Sequence, residues 1–196
     1  MKNKRIGLFI IVLCLLGVCG VRFYYVNQNV KLPIEENFSK GEVVPFGDDF
    51  NTNADEIASG YTLQVLDSEI LPVDEFLEKY DNSGEIVADG FTEYYYLVKV
   101  SVGNVNNRDG TESGISLDQI PLVGTNYFML MDYVVFELLN PDMPGSSFSL
   151  QLGTKKEILI PYAINPQVHA NYRRLQNDTP KLQLTEYPHH KLITLN

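Results

Sequence analysis

The side chains best suited to metal or proton chemistry are few. His169, His189 and His190 are the only imidazoles in the 196-residue chain, and imidazole is the group that most readily ligates zinc or moves protons near neutral pH. His189 and His190 are neighbours, and adjacent residues of an extended segment point to opposite sheet faces, which makes a poor chelating pair. They are expected to be two polar residues near a turn after Pro188, one of them hydrogen-bonded. Among the carboxylates, Asp67, Glu69 and Asp132 would act as acid and base of a hydrolase or transferase only if the fold brought them into one cleft. Asp49, Asn51, Asn53 and Asp55 alternate as calcium ligands do, but Ala54 stands where the sharp turn needs Gly, and Gly60 where the bidentate acid belongs. A looser site built from Asp48, Asp49 and Asp55 competes with a solvated surface loop, which is the expectation. There is no Gly-x-Ser-x-Gly elbow, no His-Glu-x-x-His pair and no phosphate-cradling glycine loop. No catalytic residue, metal ligand or cofactor is therefore assigned, and an enzymatic role is disfavoured.

The elements that would position any site begin with an uneven distribution of charge. The chain has 15 basic and 25 acidic residues, a net charge of −10. Lys2, Lys4, Arg5, Arg22 and Lys31 fall in residues 1–34 with no acid, so everything after them is strongly acidic. That balance argues against a nucleic-acid partner, which requires clustered Lys and Arg. Between Arg5 and Arg22 the run from Ile6 to Val21 contains no charge and no Pro. If Arg22 snorkels outward the stretch reaches Val26, about 32 Å at about 1.5 Å rise per residue, enough to cross a hydrocarbon layer. Phe23, Tyr24 and Tyr25 would form an aromatic belt, and the leading cations favour a cytoplasmic N-terminus with the remainder outside. Ile6, Val21, Arg22, Tyr24 and Tyr25 are thus the anchor residues, with membrane lipid as their partner. A cleaved signal peptide, with Val18 and Gly20 before a cut at Val21, is the rival. Lipid attachment at Cys19 is weaker, because Val18 stands where a small residue is needed. Cys14 and Cys19 both lie in the apolar run, so the exterior part is cysteine-free, which points to a Gram-positive bacterial surface rather than a disulfide-rich animal domain.

The expected organisation is a cytoplasmic tip and signal anchor over 1–26, a stalk over 27–41, and an extracytoplasmic domain over 42–196. With 44% hydrophobic and 20% charged residues the domain can bury a core. Its dominant period is two. Tyr61, Leu63 and Val65 alternate in GYTLQVLDSEI, and Tyr94, Tyr96, Val98, Val100 and Val102 in EYYYLVKVSV. SFSLQLG aligns Phe148, Leu150 and Leu152. After a Gly153-Thr154 turn, KKEILIPYAI aligns Ile158, Ile160, Tyr162 and Ile164, which suggests a hairpin. NYFMLMDYVVFELL reads as a strand buried on both faces and broken near Asp132, with helix as the alternative. KLQLTEY and HHKLITLN supply the last strands, separated by Pro188. Only PVDEFLEKY has helical spacing, with Val73, Phe76, Leu77 and Tyr80 on one side. The fold class is mainly β: an antiparallel sandwich with one short helix, behind an N-terminal transmembrane helix.

GYTLQVLDSEI followed by EFLEKY, then YYYLVKVSVGNVNN, SFSLQLGTKKEILIPYAI and a closing strand after EYPHHK together resemble the domain of unknown function family 5028. The resemblance implies a single-anchor, extracytoplasmic, immunoglobulin-like protein of Firmicutes, and it implies no catalytic residue.

Twelve Tyr and ten Phe without Trp could contact a peptide, glycan or protein, but ordinary strand packing of Tyr94, Tyr95 and Tyr96 is the favoured reading. The expected function is a binding or assembly module at the bacterial cell surface with a protein or peptide partner, whose cationic character would suit the acidic exterior. The alternatives are an extracytoplasmic hydrolase using the dispersed carboxylates and a transporter accessory subunit.

Overall fold

The computed structural model describes residues 2–28, 30–51, 58–81, 84–86, 90–108, 114–168 and 178–195; within the first helix it describes side chains at Ile6 and from Ile11 onward. The chain divides into two compact units, Met1–Leu32 and Pro33–Asn196.

The first unit contains helix α1, Lys2–Asn27. Its described side chains are all exposed, among them Ile6, Leu13, Leu15, Leu16, Val18, Val21, Phe23, Tyr24 and Tyr25. The helix ends where the Asn27 amide turns back and donates to the Phe23 carbonyl at 2.7 Å. Cys14 and Cys19 are free thiols. Among the described residues no helix is long and apolar enough to cross a membrane, so the structure does not by itself supply the transmembrane segment expected from the sequence.

The second unit is mainly β. One sheet has the order β2 (Val43–Pro45), β3 (Tyr61–Pro72), β4 (Tyr94–Asn104), β9 (Lys155–Ile164), antiparallel throughout. Its long strands follow the period-two pattern: Leu63, Val65, Val98, Val100, Ile158 and Ile160 point to one face and are fully buried there or nearly so. The second sheet has the order β1 (Ile34–Phe38), β11 (His189–Thr194), β10 (Lys181–Thr185), β6 (Leu122–Gly124), β7 (Tyr127–Met129). Leu122, Leu182, Leu184 and Ile193 from this sheet join the first sheet's face in one apolar cluster, so the two sheets pack face to face. A minor ribbon pairs β5 (Ile115–Ser116) with β8 (Ser147–Phe148).

β4 is apolar on both sides because its other face is covered too. Tyr95 and Leu97 pack against Phe76 of α2 (Val73–Tyr80) and Val135 of α3 (Tyr133–Leu139). The Phe76 and Tyr95 rings lie 4.2 Å apart. This is the helix read in PVDEFLEKY, with Asp74, Glu75 and Glu78 turned to solvent. Tyr95 and Tyr96 are buried and Tyr94 half-buried, which is strand packing rather than an exposed aromatic patch.

Four sequence expectations change. Of the segment read as a strand broken near Asp132 with helix as the alternative, Tyr127–Met129 is strand and Tyr133–Leu139 is helical: Asp132 caps the helix by accepting from the Val135 N–H at 3.2 Å, and Asn140 closes it by donating to the Phe136 carbonyl at 2.8 Å. The domain therefore carries two short helices instead of one. Ile34–Phe38, expected to lie in the stalk, is a strand of the second sheet. That strand runs parallel to β11, so the domain is not wholly antiparallel. Finally, β8 and β9 form no hairpin: β8 pairs with β5, and β9 with β4. Leu152 is correspondingly exposed.

Candidate functional site

Among the described residues, the buried charged groups, Asp49 and Lys191, meet where the start of the domain touches its end. Segment 46–51 crosses the end of β10 and the start of β11 through main-chain bonds: Phe50 N–H donates to the Tyr187 carbonyl at 2.8 Å, and Tyr187 N–H returns to Phe50 at 3.0 Å. The two rings meet at a 55° tilt with their centroids 5.7 Å apart, and the Asn51 amide donates to the Leu184 carbonyl. Gly47 makes the preceding turn at φ +67, a left-handed conformation that other residues rarely adopt.

This crossing presses Asp49 against β11. Its side chain is 5% exposed and that of Lys191 only 7%, with Lys191 Nζ 2.5 Å from Asp49 Oδ2. The same nitrogen donates to the Pro45 carbonyl at 2.8 Å and the Phe46 carbonyl at 2.9 Å. Oδ1 of Asp49 accepts from His189 Nδ1 at 2.8 Å and from the His189 backbone N–H at 3.3 Å. Because a carboxylate only accepts, the imidazole holds its proton on Nδ1. Burial pushes the Asp49 carboxyl up, but the hydrogen bonds from Lys191 and His189 outweigh it and leave the group below the usual aspartate range. A lysine with three acceptors and an aspartate with three donors satisfy the condition for burying opposite charges.

The histidine pair behaves as extended geometry requires. His189 turns toward Asp49, and His190 faces the other way, its Nε2 3.3 Å from Gln183 Oε1. Of the loose calcium set, Asp48 is exposed, both oxygens of Asp49 are engaged, and Asp55 lies outside the described residues, as do Asn53 and His169. Among the described residues no three potential metal ligands gather.

The three carboxylates considered for acid–base work each hold a different contact. Asp67 pairs with Lys40 at 2.8 Å, and that hydrogen bond lowers its carboxyl. Glu69 accepts from Lys79 on both oxygens at 2.8 Å and from the Tyr80 hydroxyl at 2.5 Å. Burial pushes Glu69 up, and those donors bring it below the usual glutamate range. Asp132 caps α3 and accepts from the Tyr95 hydroxyl at 3.4 Å. Asp67 and Glu69 are thus held in their ionised forms, the opposite of what a general acid requires.

Lys191 was not among the candidates drawn from the sequence, although a signal for it exists. Lys191, Ile193 and Leu195 share one parity of the last strand, and the latter two are buried. A lysine on a core-facing parity needs a buried partner.

Fold and site define a class: a mainly β domain of two stacked sheets, helix-covered on one outer face, whose first and last segments meet at a buried lysine–carboxylate pair. The chain belongs to the family described as Domain of unknown function (DUF5028), whose model matches residues 35–191. That span starts in β1 and ends on Lys191, so it contains the whole cluster. No curated protein and no solved structure matches the chain.

Proposed function

We propose that the protein is a single-pass membrane protein of a Gram-positive cell surface. Its α1 helix is the anchor, and its immunoglobulin-like sandwich is an extracytoplasmic binding or assembly module. The observation that carries this reading is α1 itself: from Ile11 to Val26 its apolar side chains are exposed on every side. A helix apolar all round requires lipid or protein around it. Lys2, Lys4 and Arg5 before the apolar run favour an inside N-terminus. Arg22 snorkels to the outer interface beside Tyr24 and Tyr25. A binding role rather than hydrolysis is supported by the engagement of Asp67 and Glu69 with Lys40 and Lys79, which favours their ionised forms, and of Asp132 as the cap of α3. The acidic face of α2, with Asp74, Glu75 and Glu78 in solvent, suits a cationic protein or peptide partner.

Two measurements test the reading. Protease added to intact cells should digest the domain while the anchor stays in the membrane fraction; a fully protected domain refutes the topology. Capture of partners from membranes should weaken as salt rises, because charge attraction is screened. Equal capture at low and high salt refutes electrostatic recruitment.

A further inference from the structure

The cluster at Asp49 is arranged for more than an ion pair. We propose that Lys191 and Asp49 condense into an intramolecular amide that permanently ties the beginning of the domain to its last strand. The reacting groups are in contact, with Nζ 2.5 Å from Oδ2, and both side chains are more than nine-tenths buried. Holding an amine and a carboxyl together in a nearly dry site replaces a bimolecular encounter with an intramolecular one.

The surrounding donors and acceptors fit each stage. The ammonium first passes one proton along the Nζ–Oδ2 contact, an uphill step against the donors that favour the carboxylate, which turns the ion pair into a minor amine–carboxylic acid form without any outside base. A neutral amine has two N–H bonds and one lone pair. The Pro45 and Phe46 carbonyls, at 2.8 and 2.9 Å, take the two N–H bonds and leave the lone pair facing Asp49. Attack on the carboxyl carbon forms the C–N bond and places negative charge on Oδ1. That oxygen already faces two donors, His189 Nδ1–H at 2.8 Å and the His189 backbone N–H at 3.3 Å, which is the arrangement that stabilises an oxyanion. The nitrogen then gives up a second proton to Oδ2, the C–O bond to Oδ2 breaks, and one water leaves. Ammonium plus carboxylate become amide plus water, with no oxidant, nucleotide or metal required. His189, 38% exposed, stands at the boundary where the water departs. The link would do for this domain what a disulfide does elsewhere, since both cysteines of the chain lie in α1.

A tryptic digest of the full-length, denatured and reduced protein tests the proposal. The link predicts a branched product in which peptide 41–79 is joined to peptide 182–196. The branched product should be uncut after Lys191 and lighter than its two parts by one water. Free peptide 41–79 with a normal cut after Lys191 overturns the proposal. Lys191→Arg keeps the charge and should abolish the branched product, whereas a branch that persists in that variant places the bond elsewhere and overturns the assignment. The wild-type digest decides the matter even if the variant fails to fold.

Discussion

Two carboxylate–lysine clusters in the domain use nearly the same parts at opposite depths. At one, Glu69 of β3 holds Lys79 and Tyr80 of α2, with the lysine side chain 52% exposed and the glutamate 33%. At the other, Asp49 holds Lys191 and His189 with only 5% and 7% of the paired side chains exposed. The first is a clip on the outer helix, where water competes for every hydrogen bond and salt screens the charges. The second is a knot in which each charge depends on its protein partners, because no water replaces them. Depth, rather than the identity of the side chains, decides which cluster the domain depends on.

Removing the knot should have the largest effect. Lys191→Ala strands a buried carboxylate and forfeits the link across a long loop, a loss of about 4 to 5 kcal/mol, read as a lower urea midpoint. A small shift would mean that water reaches Asp49. Phe76→Ala takes the buried ring from between α2 and β4 and should cost about 3 to 4 kcal/mol, showing how much the helical layer contributes without either cluster. Acid separates the two clusters further. An aspartate whose folded pKa is depressed adds stability above its unfolded value of about 4, lost as pH falls through the folded value. In Lys191→Arg, where Asp49 still titrates, the thermal midpoint should fall on acidification more steeply than in the wild type, whose amide-linked Asp49 has no proton to gain. Parallel acid limbs would contradict the link. His189→Ala should leave the domain folded but lower the fraction of branched peptide, since one oxyanion donor is gone. The smallest effect belongs to the clip: Tyr80→Phe removes one hydroxyl donor to Glu69 and should cost at most about 1 kcal/mol, by thermal melting.

Much of the domain was legible because its long strands are amphipathic in a simple way. β3 alternates from Tyr61 to Val65, β4 keeps Tyr96, Val98, Val100 and Val102 on the core-facing parity, β9 does the same with Ile158, Ile160, Tyr162 and Ile164, and α2 shows two turns of helical spacing. Where both sides of an element meet protein, periodicity loses its meaning. α3 packs Val135, Leu138 and Leu139 toward β4 and places Phe136 in the core between the sheets, so its sequence is apolar without a clear period. β1 was hidden for another reason: IEENF is acidic and short, and it becomes a strand only because β11, far along the chain, pairs with it. The knot is equally non-local. Asp49 and His189, 140 residues apart, were each singled out for other chemistry, as a calcium ligand and as half of a histidine pair. The third member of the knot, Lys191, which holds the other oxygen of Asp49, gave no signal except its parity among buried neighbours.

The most direct test of the account is a side-by-side unfolding measurement on the full-length chain carrying either Lys191→Ala or Lys79→Ala. A large fall in midpoint for the first and almost none for the second is the predicted result. Equal shifts would contradict the claim that the buried pair, and not the exposed one, holds the domain closed.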